Sequence, residues 1–182
     1  MHNEHRLRSG ERGYNLVEVL IAMALMGTVL MSIMGLFYFG RRNVYSGKEM
    51  TEAVAVGTHV LEDLNTMTKD GVVFAFVLPA GVGTANTVGG QSFPNSFVRT
   101  TTNISAATDA SGFLQRWQDE MVNNSKFQNG VISIVFTPTA DGTNAPPQMA
   151  TSTVIKMRVF VEWGEAIRRR QVVLDSVKIE RQ

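Results

Sequence analysis

From Val19 to Gly40 the chain carries no charged residue, and the residue just before that run is an acid, Glu18. A helix crossing a hydrocarbon core of about 30 Å needs about 20 residues, so the run is long enough to span a membrane. Acidic residues deeper in such a helix cost about 2.5 to 3.5 kcal/mol on insertion scales, which makes an ionisable group at the mouth of the span a functional candidate in need of a partner. Whatever else the chain builds, it must accommodate one long apolar helix near its N-terminus.

Three readings of this segment compete. A removable secretory signal needs a basic start, an apolar stretch of about 7 to 15 residues and a small-x-small cleavage site. Ala22-Met23-Ala24 imitates that site but lies inside the apolar run, with Leu25 to Phe39 continuing past it, so a cut there would leave a membrane helix behind. A plain membrane anchor asks for no particular chemistry around Glu18, which would then be an interfacial acid reaching for water. The third reading is a short leader that is cut off while the apolar helix is kept. Basic residues do not decide orientation, because Arg6, Arg8 and Arg12 on one flank balance Arg41, Arg42 and Lys48 on the other.

The residues Gly13-Tyr14-Asn15-Leu16-Val17-Glu18, followed at once by the apolar run, resemble the N-terminus of the type IV prepilin and pseudopilin superfamily. The resemblance implies a leader over residues 1–13, cleavage by a prepilin peptidase between Gly13 and Tyr14, and N-methylation of the new terminus at Tyr14. Residues 14–40 would be the transmembrane and assembly half of a spine helix, and 41–182 an extracytoplasmic globular domain. Glu18 then matches the family's acid that pairs with the N-terminal amine of a neighbouring subunit. In a low-dielectric filament core, an unpaired member of such a pair typically costs about 3 to 5 kcal/mol, so the pair fixes axial register more than it adds stability. The chain departs from the commonest pattern in having Tyr14 where Phe is usual, Gly35 where many major pilins have proline, and no cysteine for a C-terminal disulfide.

Beyond the span, Asn43 to Lys69 keeps a helical period through Met50, Val54, Gly57, Leu61, Leu64 and Thr68, with Gly71 as a stop. One continuous helix from Tyr14 is expected, against an alternative of two helices broken near Gly40, Gly47 or Gly57. Val72 to Leu78 is a continuous apolar stretch ending before Pro79 and reads as a buried strand or extended segment. Ala80 to Gly112, rich in Gly, Thr, Ser and Asn, reads as a loop. Phe113 to Val122 reads as a short helix with Phe113, Leu114, Trp117 and Met121 on one side.

Three strands are expected over residues 130–137, 153–163 and 168–179. In the middle one Ile155, Met157, Val159, Val161 and Trp163 alternate with Lys156, Arg158 and Glu162. In the last, Val172 and Leu174 fall on one phase and Val177 and Ile179 on the other, which predicts a bulge near Asp175 or Ser176. The fold class is therefore α+β, a long hydrophobic spine helix packed against a C-terminal antiparallel sheet. The Trp-containing short helix, the strand ending Val161-Glu162-Trp163 and the Arg-rich strand passing into Val172-Val173-Leu174-Asp175 resemble PilV-type minor pilins. Secretion pseudopilins of the I and J types are the nearest rivals, and an unprocessed membrane-anchored binding domain is the alternative from another class.

A net charge of +1 points away from nucleic-acid binding by bulk charge, and the absence of cysteine excludes disulfides and thiolate sites. His2, His5 and His59 cannot assemble a metal cage, and Glu62 and Asp63 beside His59 read as a solvated helix face. Asp141-Gly142 is a turn signal. Neither a nucleophile elbow nor a phosphate-binding glycine loop is present, so no enzyme activity, metal or cofactor is expected. Arg168-Arg169-Arg170 reads as a charged strand that discourages edge-to-edge pairing, with a weak DNA contact as the alternative. The resemblance implies as partners the major pilin, other minor pilins, the prepilin peptidase and the inner-membrane assembly platform. It places the chain in the inner membrane, leader cytoplasmic, before assembly, and in a surface pilus afterwards.

Overall fold

The computed structural model describes residues 12–77, 86–102, 104, 109, 111–123, 127, 129–139, 149, 152–164 and 169–179, with side chains from Leu16 onward except that of Val77. Two compact units divide between Gly47 and Lys48. Helix α1, Arg12–Thr66, is one unbroken element, so Gly40, Gly47 and Gly57 do not divide it. In the first unit its described residues are exposed apart from the half-buried Gly35 and Ser46, and α1 is long and apolar enough to cross a membrane by length and composition.

The second unit is an α+β domain in which the C-terminal part of α1 packs against a four-stranded antiparallel sheet. Its strands are β3 (Phe97–Thr100), β4 (Val131–Pro138), β5 (Val154–Trp163) and β6 (Arg170–Ile179), in that spatial order; a separate hairpin pairs β1 (Asn86–Val88) with β2 (Gln91–Phe93). Gly89 and Gly90 link the hairpin strands with φ of 57° and 76°, the doubly positive geometry of a type I′ turn that glycine adopts without a Cβ penalty. Helix α3, Phe113–Asn123, buries Leu114, Trp117 and Met121, the face its spacing predicts. Its start is held from outside the helix, where the Asp109 carboxylate accepts from the Gln115 amide at 2.9 Å.

The main core lies between the helices and one face of the sheet. Ala53, Val56, Val60 and Leu64 of α1 meet Ile132, Ile134 and Phe136 of β4 and all five predicted inward residues of β5. The α1 stripe is rotated from expectation: Gly57 and Leu64 are buried, but Met50 and Val54 are exposed. The small residues explain the rotation. A Cβ on Gly57 would lie 2.5 Å from Leu174 Cδ1 and 3.2 Å from Val161 Cγ2, so the helix comes down on the sheet along its Ala53–Gly57 side. Phe76 fills the gap between α3 and the sheet, stacked 5.7 Å from both Trp117 and Phe136. The opposite sheet face has its own small cluster, Val135 and Phe160 beneath Val88 of the hairpin.

Three expectations are corrected. Residues 72–77 are helical, not extended. α1 ends at Thr66, Thr68 caps the short helix α2 (Lys69–Val72) through its hydroxyl, and a π-helical turn follows over Val73–Val77. Gly71 therefore lies within α2 and stops nothing. Val72, Val73 and Phe76 are buried while Phe74 is exposed, a spacing that suits a helix on a core and not a strand. The stretch expected to be a loop, 80–112, contains β1, β2 and the edge strand β3. Finally, β6 has no bulge, because its register with β5 is unbroken from Val154↔Ile179 to Trp163↔Arg170. On the α1 side Val172 and Leu174 are followed by Ser176 and Lys178. The Lys178 ammonium donates to the Leu64 and Asn65 carbonyls at 2.8 and 3.2 Å, so polar residues on this face satisfy the end of α1 and no change of phase is required.

Candidate assembly surface

Every described residue of α1 from Leu16 to Phe39 is exposed except the half-buried Gly35. The aliphatic hydroxyls on this stretch are satisfied within the helix: Thr28 donates to the Leu25 carbonyl at 2.7 Å and Ser32 to the Thr28 carbonyl at 2.9 Å. Such back-bonding removes most of the cost of a hydroxyl in lipid. Apart from the adjoining residues and the helix's own backbone, no described atom lies within 4 Å of where a Cβ on Gly27 or Gly35 would stand. These two bare positions allow another helix to approach closely. At the polar end of the stretch the Arg41 guanidinium lies 5.4 Å over the Tyr45 ring, one turn away.

Glu18 is exposed at the start of this apolar surface, and none of the described residues forms an ion pair with it. Gly13 and Tyr14 lie in the helical backbone of α1, with their side chains outside the described residues, and the leader up to Glu11 is outside them altogether. Tyr14 and Glu18 are four residues apart on the helix, so the two positions fall on one face, one turn from each other.

The folded unit contains a polar cluster that the sequence did not reveal. His59, which reads as a lone helix histidine, is 2.8 Å through Nδ1 from Glu120 Oε2 on α3, and its Nε2 is 3.9 Å from Asp63. Asp63 in turn accepts from Trp117 Nε1 at 2.7 Å and pairs with Arg116. The hydrogen bond that the ring donates to Glu120 is the main influence raising the His59 pKa; the nearby carboxylate charges add to it, while desolvation and Arg116 oppose it. The cluster joins α1 to α3. Only the spacing of His59 and Asp63, and of Arg116 and Glu120, at four residues hinted at it, because the pairing itself crosses from one helix to another. No group of acids and histidines among the described residues could hold a metal ion.

In the basic triplet, Arg169 is exposed and the Arg170 guanidinium donates to Glu49 Oε2 at 2.7 Å; Arg168, like Asp141 and Gly142, lies outside the described residues. Of the triplet, Arg170 alone belongs to β6, which it begins, and it is engaged within the unit. Comparison of the chain with protein-family models, with curated proteins and with solved structures finds no match.

Proposed function

We propose that the chain is a minor pilin of a type IV pilus: a prepilin held in the inner membrane by α1, cut between Gly13 and Tyr14, methylated at Tyr14, and incorporated into or priming the filament. The observation that carries this reading is the placement of Glu18. It is a lone carboxylate at the head of an exposed apolar helical surface, one turn from the position at which cleavage would create an ammonium. Cleavage makes a counter-charge that Glu18 lacks among the described residues, and a neighbouring subunit's terminus can supply it where lipid or filament core excludes water. The partners on this reading are the major pilin, sibling minor pilins, the prepilin peptidase and the assembly platform. The α+β unit would give subunit specificity, and the role is assembly and display without catalysis.

Expression with and without a prepilin peptidase tests the reading. N-terminal sequencing and intact mass should show a chain beginning at Tyr14, one methyl group heavier than the bare peptide, only when the peptidase is present. Replacing Gly13 by a bulky residue should leave the chain full length. A chain that keeps Met1 in the presence of active peptidase would instead make it an unprocessed anchored domain.

A further inference from the structure

The geometry points to β6 as a self-pairing edge, through which a second copy of this chain adds antiparallel about a two-fold axis at Ser176. This inference does not rest on the pilin reading. β6 runs ten residues in regular register with β5, and no described strand pairs with its other side. Long regular edges are ordinarily blunted by free charges, prolines or bulges. β6 has neither a proline nor a bulge, and each of its charged side chains is engaged inside its own subunit. Arg170 donates to Glu49 at 2.7 Å, Asp175 accepts two hydrogen bonds from Arg158 at 2.6 and 2.8 Å, and Lys178 donates to the end of α1. On the sheet face away from α1 this leaves Val173, Val177 and Ile179 exposed at 39%, 53% and 64%. Among the described residues the edge is therefore an unguarded template.

Charge and apolar matching select the occupant and its register. Centring the pair on Asp175 would set two carboxylates directly opposite, and centring it on Leu174 would set Arg170 opposite Lys178 of the second copy; like charges so placed are destabilising. Centring on Ser176 sets Val173 opposite Ile179 twice, and Asp175 opposite Val177. It therefore covers all three exposed apolar residues without opposing like charges. A two-fold strand pair uses the β6 edge of both copies, so it closes as a dimer and does not propagate. One strand pair buries less than the roughly 1,200 Å² of a stable complex, so the association is weak and concentration-dependent.

The test is cross-linking of the full chain in detergent, where the absence of native cysteine leaves no background. Directly opposed residues in an antiparallel pair have Cα atoms within disulfide reach. Val173→Cys protein mixed with Ile179→Cys protein should give an oxidised mixed dimer, whereas either variant alone should not. Val173→Cys with Val177→Cys, the pairing of the Asp175-centred register, should cross-link far less. Adding Val177→Asp to both chains sets acid opposite Asp175 and should abolish the mixed dimer. Val177→Lys, which sets a cation there, should preserve it. Absence of the mixed dimer at all concentrations, as expected if this edge is kept for a different protein, overturns the proposal. So does equal cross-linking in every mixture, including exposed Phe74→Cys used as an off-edge control.

Discussion

Arg99 lies on the core-facing side of β3, opposite Ile134 in register, and is only 8% exposed. Its Nε and Nη2 are buried without a hydrogen-bond partner, and burial lowers its pKa with no acid among the described residues offsetting the effect. An uncompensated buried cation opposes folding, so Arg99→Met, similar in reach and uncharged, should stabilise the protein by about 1 kcal/mol or more. Chemical denaturation followed by the fluorescence of Trp117 and Trp163 reads this as a higher midpoint; a lower one would mean that the guanidinium is compensated. His59 carries the opposite kind of charge effect. Its folded pKa is raised above the ordinary value near 6.5 because the protonated ring gains Glu120. The contribution of the pair is thus fully present below about pH 6.5 and is lost as the pH rises through the higher folded value. The imidazole is nearly half exposed, so the effect on stability is small and titration is the better measure. With His2 and His5 replaced to leave one signal, the NMR midpoint of His59 should lie above 6.5 and fall in Glu120→Gln. An unchanged midpoint would show that Glu120 does not hold the ring.

At the scale of elements, β4, β5, β6 and α3 were legible, α3 and β5 from the period of one continuously buried face, β4 from a mostly apolar run buried on both faces, and β6 in its extent though not in its phase. The π-helical turn was not, since a short apolar run bounded by proline fits a buried strand and a buried helix equally. What decides it is that Phe76 must reach both Trp117 and Phe136, which is tertiary information. The β1–β2 hairpin had a local signal in Gly89-Gly90, but its strands are too short and polar to stand out from the surrounding threonines and asparagines. The buried face of α1 differs from its apolar pattern for a related reason. The larger Met50 and Val54 suggest a buried stripe, but close approach to the sheet selects the smaller Ala53 and Gly57. That approach is testable with Gly57→Val. The added methyls meet Leu174 and the buried, β-branched Val161, so overpacking should cost about 1 to 3 kcal/mol. Gly57→Ala offsets its smaller clash by about 1 kcal/mol of helix propensity. Equal stability of the two variants would mean that the helix rides higher on the sheet than its contacts indicate.

At the scale of the whole molecule, the membrane-length part of α1 and the folded unit have different requirements, and Glu18 separates them. The α+β unit has its own core from residues beyond Gly47, so Glu18→Ala should leave its denaturation midpoint unchanged. Insertion of α1 should be no worse, because removing an acid from the head of an apolar helix lowers the cost of entering lipid. Only assembly should suffer. If cleavage has placed an ammonium at Tyr14, its burial in a filament without Glu18 leaves one member of a pair uncompensated at about 3 to 5 kcal/mol. At 1.4 kcal/mol per tenfold, this is more than a hundredfold loss of incorporation. Glu18→Gln keeps the shape and hydrogen-bonding capacity but not the charge, so it should lose nearly as much, whereas Glu18→Asp should recover part of the function. The measurement is the ratio of the chain in sheared surface fibres to that in the membrane fraction, for each variant, with processing checked by mass. If the Ala and Gln variants enter fibres as the native chain does, charge pairing at the head of α1 plays no part in assembly, whatever the peptidase has done to Gly13 and Tyr14.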